Sequence, residues 1–177
     1  MAFERILPED IERNVFRLIG NDMMLIGAGD ADGFNMMTAS WGMLGPLWRR
    51  QTAAVFVRKH RYTFRFLEEN RRFALSFFGG GHREALSFCG TNSGRDVDKA
   101  AETGLSPVFA EGGAVYFRQA SLVLLCRKLY FQDLDPSNFL DDAIDLQYPA
   151  EDYHRMYISD IEEALLRTED TAGELWQ

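Results

Sequence analysis

Three stretches of the chain gather polar side chains amid apolar neighbours. The first is Asn35-Met-Met-Thr38-Ala39-Ser40-Trp41-Gly42, where small hydroxyl residues beside an indole let a flat ring approach the backbone closely. The second is Arg58-Lys-His-Arg61-Tyr62-Thr63, at an expected junction of strand and helix. Basic side chains, a hydroxyl and the free N–H groups of a helix start together bind phosphate. The third, Ser93-Gly94-Arg95-Asp96-Val-Asp98-Lys99, is another basic group at a helix start. Each stretch also has a plain structural reading: a sheet strand, a solvated loop, a capped helix. From the residues alone, that reading and a phosphate-bearing ligand both stand.

Other chemistries are excluded by pattern. Gly27-Ala-Gly29-Asp-Ala-Asp-Gly33 approaches a dinucleotide fingerprint, but its third glycine comes one residue late and strand-like residues follow where a helix is required. Asp30 and Asp32 lack the remaining ligands and the closing glutamate of a calcium loop. Gly79-Gly-Gly81 precedes no GK[ST], so it is a turn and not a phosphate loop of that class. His60, His82 and His154 have no metal-ligand spacing, and no nucleophile elbow is present. We therefore expect no metal and no hydrolytic machinery.

The elements that must position the three stretches follow from periodicity and punctuation. Pro8 with two following acids, then Ile11, Val15, Leu18 and Ile19, predicts an N-terminal helix within residues 1–20. Strands are expected at 23–29 and 34–44, joined by a turn at 30–33, and again at 51–58 and 72–78. Helical spacing marks 62–70, and two short helices are expected at 82–90 and 96–104. The apolar region 114–134 reads as two strands or one long bent strand. Residues 135–148 are acidic and turn-rich, 157–166 suit either a strand or a helix, and 168–177 form a C-terminal tail expected to be mobile or to contact a partner. Helices do not regularly separate the strands, which argues for an antiparallel barrel with peripheral helices.

Composition bounds the rest. The chain has 177 residues, 46% hydrophobic and 26% charged, which suits a single domain spanning 1–177 with a packed core. Its 27 acids against 19 bases give a net charge of −8, which disfavours a nucleic acid partner. No apolar run reaches the roughly 18 residues of a membrane span, and the acidic N-terminus has no apolar core of a signal peptide. Cys89 and Cys126, far apart and in apolar contexts, are expected as reduced thiols in a cytoplasmic protein.

The ordered series NMMTASWG, RKHRYT, SGRDVDK, CRKLYFQDL and DYHRMYI resembles the flavin reductase-like family of FMN-binding split barrels, and within it the flavoredoxin-type proteins. The resemblance covers roughly residues 21–161. It implies a mainly β fold with peripheral helices: a six-stranded antiparallel split β-barrel of Greek-key type, assembled as a homodimer, with FMN at the barrel edge near the interface. Carried over by position, Asn35, Thr38, Ala39, Ser40 and Trp41 would line the isoalloxazine. Arg61, Tyr62 and Thr63, with Arg58 in the same basic cluster, would lie at the ribityl phosphate, and Lys99 with Ser93 close to it. His154 keeps its family place and is a candidate nicotinamide contact, whereas Asn138 and Ser159 depart from residues common in the family. The implied activity is an oxidoreductase that takes hydride from NAD(P)H onto flavin and passes it to an acceptor, with no catalytic acid or base required. The alternatives are an FMN electron carrier serving a redox protein partner without a nicotinamide site, and a split-barrel binding protein that lacks flavin.

Overall fold

The computed structural model describes residues 2–168. In chain order the elements are β1 (Phe3–Ile6), a 3₁₀ turn at Pro8–Asp10, α1 (Val15–Gly20), β2 (Met24–Asp30), β3 (Gly33–Ala39), β4 (Gly42–Leu47), β5 (Arg50–Arg58), α2 (Tyr62–Glu69), β6 (Arg72–Phe77), α3 (Arg83–Thr91), α4 (Lys99–Thr103), β7 (Pro107–Ala110), β8 (Ala114–Phe117) and β9 (Leu122–Asp133). Two further 3₁₀ turns, Pro136–Asn138 and Asp142–Gln147, lead into β10 (His154–Arg167).

Among the described residues all ten strands join one antiparallel sheet, in the order β4-β5-β10-β9-β6-β2-β8-β7, with β3 added to β2 and β1 to β10. The sheet branches because its longest strands are shared. One edge of β10 runs along β9, while the other pairs first with β5 (His154↔Arg58 to Asp160↔Thr52) and then with β1 (Ala164↔Ile6 to Arg167↔Phe3). Register shifts between Ile158 and Ser159 and between Ile161 and Glu163 bend that ladder, as β-bulges do. The ladder does not close, which makes the architecture a mainly β, antiparallel split barrel with a few peripheral helices.

The strand count exceeds the expected six for local reasons. The single strand expected at 34–44 breaks at Ser40-Trp41 into β3 and β4, and the short β1 and β7 pair at sheet margins. The expected N-terminal helix is largely replaced. Phe3–Ile6 hydrogen-bonds to β10 as a strand, Pro8 starts only a 3₁₀ turn, and helix begins at Val15, where the Asn14 side chain accepts from Arg17 N–H. The ambiguous stretch 157–166 is strand throughout, since β10 is paired on both edges. Of the expected tail, only Thr168 falls within the described residues; 169–177 lie outside them.

Two apolar cores flank the central strands. Ile26, Met37, Val55, Phe73, Leu75 and Tyr157 fill the barrel interior with Leu67 of α2. Leu25, Met36, Ala74, Val115 and Val123 face outward, against Leu86 and Cys89 of α3. Because β2 and β6 are covered on both faces, their sequences are continuous apolar runs and not alternating ones. Gly27 permits the closest approach: a Cβ there would lie 2.1 Å from the Val115 carbonyl oxygen of β8.

Candidate functional site

The break between β3 and β4 opens a cleft of about 380 Å³, lined by residues 37–41, Phe56, Arg58, His60, Arg61 and His154. Thr38 Oγ1 donates to the Leu86 carbonyl at 2.6 Å, which ties the end of β3 to α3. Ala39 is buried, and Ser40 and Trp41 are exposed between the two ladders. A smaller recess of about 140 Å³, lined by residues such as Pro8, Ile11, Leu44 and Thr52, contains no ionisable side chain.

The cationic end of the cleft is built from the C-terminal carbonyls of α3. Arg61 donates to the Gly90 carbonyl at 2.9 Å, and its pKa is lowered by burial and then by nearby Arg58. Lys99 lies behind it, buried, donating to the Met36 and Cys89 carbonyls at 3.0 and 2.9 Å. Burial pushes the Lys99 ammonium down to about 8, opposed by Cys89 and reinforced by Arg61. Cations at a helix C-terminus meet the negative end of its dipole, which is how two positive groups coexist here without a carboxylate bonded to either.

Arg61 is also the N-cap residue of α2, and no side chain caps that helix. Among the described residues the first-turn N–H groups of Tyr62 and Thr63, which follow the cleft-lining Arg61 in sequence, therefore have no capping side chain. Arg95 packs over the Tyr62 ring at 4.9 Å and donates to the His60 carbonyl. Ser93 Oγ accepts from Arg95 N–H at 3.2 Å.

The structure thus separates the expected site residues into three groups. Thr38, Ala39, Ser40, Trp41, Arg58, Arg61 and His154 line the cleft together. Asn35, Thr63 and Lys99 are buried and bonded within the protein, with Asn35 Nδ2 donating to Thr63 Oγ1 at 2.8 Å. Tyr62 and Ser93 lie outside the lining. Arg58 lines the cleft, yet its guanidinium is engaged: it grips both Asp152 carboxylate oxygens at 2.9 and 3.1 Å and donates to the Gln147 carbonyl.

Sequence reasoning missed the layer packed behind His154. Residues 134–153 fold back so that Tyr148 is buried, 2.9 Å from His154 Nδ1 through its hydroxyl. Phe139 stacks on Tyr148 at 6.1 Å, Tyr153 packs at 4.9 Å, and Arg58 lies over the same ring at 5.3 Å. Trp41 meets His154 with ring centroids 4.9 Å apart. The available signal was three aromatics, Phe139, Tyr148 and Tyr153, in an otherwise acidic segment, since exposed turns seldom place so much ring surface in water. Burial pushes His154 down to about 4; Arg58 and His60 lower it further, and Asp152 opposes them.

Sequence and structure comparisons agree with this architecture. The family model for the flavin reductase like domain matches residues 16–175, and the chain belongs to that family. Among solved structures it is similar to the flavoredoxin of Methanosarcina acetivorans, with 22% identity, a TM-score of 0.65, and coverage of 83% of this chain and 69% of that one. The flavoredoxin of Desulfovibrio vulgaris (Miyazaki F) is 20% identical, with a TM-score of 0.66 over 93% of this chain and 78% of that one. An FMN-binding domain of a flavin reductases-like enzyme from Shewanella baltica OS155 is 17% identical, with a TM-score of 0.67 over 99% and 83% of the two chains. No curated protein sequence matches the chain. Among the described residues, no helix is long and apolar enough to cross a membrane, and no group of metal-ligating side chains is present.

Proposed function

We propose that the protein is a cytoplasmic FMN-binding oxidoreductase that passes hydride from NAD(P)H to bound flavin and on to an acceptor. The observation that carries this reading is the joining of two unlike ends in one cleft: the small-residue strand end 38–41 with its indole, and Arg61 at the uncapped start of α2. A flat ring system linked to a phosphate needs that pairing. The residues fit the group. Arg61 and the Tyr62 and Thr63 amides would hold the phosphate, and Thr38, Ser40 and Trp41 would line the ring. Asn35, Thr63 and Lys99 would support that wall from behind through their internal hydrogen bonds. When bound, FMN supplies two-electron hydride acceptance and donation. The chain contributes binding, orientation and the exclusion of water beneath Trp41 and Tyr148.

The electron-carrier reading is favoured by one observation, the acidic 135–152 segment beside the cleft, which contains no lysine or arginine and suits a basic protein partner. A homodimer is part of the proposal. Met43, Leu47 and Trp48 of the β4–β5 hairpin and Tyr130 of β9, whose ring meets Trp48 at 6.3 Å, are exposed apolar side chains that a second copy would cover. The deciding experiment is anaerobic titration of the purified protein with NADH and with NADPH. A yellow protein bleached by either supports the oxidoreductase. A yellow protein bleached by neither leaves the carrier, and a colourless one that takes up no added FMN rejects both.

A further inference from the structure

Tyr148 is 4% exposed, and His154 Nδ1 is the hydrogen-bond partner of its hydroxyl. A buried phenol whose O–H has one neighbour within reach must donate to it, or its proton is left without an acceptor. Nδ1 is then the acceptor, and the imidazole proton sits on Nε2. Among the described residues Nε2 has no protein partner, and His154 lines the cleft. That nitrogen is an unused donor at the cleft surface, beside the 42%-exposed face of Trp41.

Resting on the function proposed above, we infer that Tyr148 is a positioning residue: it fixes His154 as the neutral Nε2–H tautomer, so that the ring donates one hydrogen bond to a carbonyl oxygen on a flat ring lying against Trp41. The hold on Tyr148 is built from outside the cleft. Phe139 and Tyr153 pack on its ring, and Arg58 covers it while anchored to Asp152 and the Gln147 carbonyl. The titratable and charged groups around the imidazole are Arg58 and His60 from the end of β5, Asp152 and Tyr148 from the 134–153 connection. Burial and the Arg58 guanidinium keep the ring uncharged, which suits a neutral oxygen acceptor better than a carboxylate. A carboxamide on a nicotinamide and the carbonyl of an aromatic acceptor share this chemistry, and the 134–153 connection becomes the element that discriminates among ligands.

The test uses FMN-loaded protein, ring ¹⁵N spectra of the histidines, and three probes: NAD⁺, NADP⁺ and p-hydroxybenzaldehyde. In the parent protein His154 should show an unprotonated Nδ1 and a protonated Nε2 between pH 5 and 8. Tyr148→Phe, which keeps the ring and removes only the hydroxyl, should give mixed tautomers and a raised titration midpoint. It should weaken at least one probe roughly five- to tenfold, with turnover number changed much less than KM. His154→Gln retains an N–H donor that needs no phenol, so adding Tyr148→Phe to it should change affinity by less than about twofold. A weakened nicotinamide nucleotide identifies the carboxamide as the ligand, and a weakened aldehyde identifies the acceptor. An Nδ1–H tautomer in the parent overturns the inference. So does an unchanged affinity for all three probes in Tyr148→Phe, or an equal loss in the two backgrounds. Should the protein take up no FMN, the proposed function fails by that result, while the ring spectra of the protein alone still decide the Tyr148 assignment.

Discussion

Arg58 ends β5 and Arg61, three residues on, is the N-cap of α2; only the structure distinguishes their work. Arg58 points its donors at Asp152 and the Gln147 carbonyl; Arg61 lines the cleft from a helix start that nothing else caps. Arg61→Ala should therefore weaken FMN binding about tenfold or more, the loss of one charge-assisted contact. Arg58→Gln should weaken it no more than about threefold while raising amide hydrogen exchange across 147–152. Fluorescence titration with FMN and exchange mass spectrometry measure the two effects, and equal losses of FMN would refute the division of labour. His154 carries a pH signature. Its folded-state pKa, pushed down to about 4, lies below the ordinary 6.5, so the unfolded chain binds the extra proton first. Its share of stability is present above pH 6.5 and is lost as pH falls towards 4. The difference in unfolding free energy between the parent and His154→Gln, followed by urea titration across that interval, should shift in favour of the variant as acid is added.

At the scale of elements, the sheet depends on close approach where β2 carries three neighbours. Gly27→Ala would place a methyl 2.1 Å from the Val115 carbonyl oxygen, a backbone atom that cannot rotate away. The substitution should destabilise the fold by about 3 kcal/mol or prevent its accumulation, read by chemical denaturation, and an effect near zero would show that β2 and β8 do not approach as described. The strands at 24–30, 50–58 and 72–77 and the helix at 62–69 were legible because apolar run, periodicity and punctuation agree there. The N-terminal strand was not, because Phe3–Ile6 takes its backbone partners from Ala164–Arg167, some 160 residues away, and no local propensity reports that pairing. The split between β3 and β4 was equally hidden. It arises because β3 pairs with β2 and β4 with β5, so the chain must turn at Ser40-Trp41 to pass from one ladder to the other.

For the whole molecule, the charge of −8 opposes non-specific association. The hairpin that carries Trp48 is strained as well as exposed: Trp48 and Arg49 hold positive φ values of 52° and 58° at the two-residue hairpin between β4 and β5, a geometry that favours Asn-Gly. Replacing both Trp48 and Tyr130 by aspartate should convert a dimer of twice the 20.2 kDa chain mass into a monomer in sedimentation velocity, with the far-ultraviolet spectrum unchanged. A parent protein that sediments as a monomer would end the homodimer proposal.

What the sequence determined by itself was the class of architecture and the three polar stretches, because apolar patterning is a property of neighbouring residues and small hydroxyl and basic groups are visible one at a time. Tertiary structure alone decided which of those groups reach open space. Thr38, Ser40, Trp41 and Arg61 line the cleft, whereas Asn35, Thr63 and Lys99 are sealed behind it by bonds to distant partners. The same holds for Tyr148, whose place against His154 depends on where a 20-residue connection folds back, from 134 to 153. Burial and hydrogen-bond partnership are set by contacts far apart along the chain, and those exist only once the sheet has branched around β10.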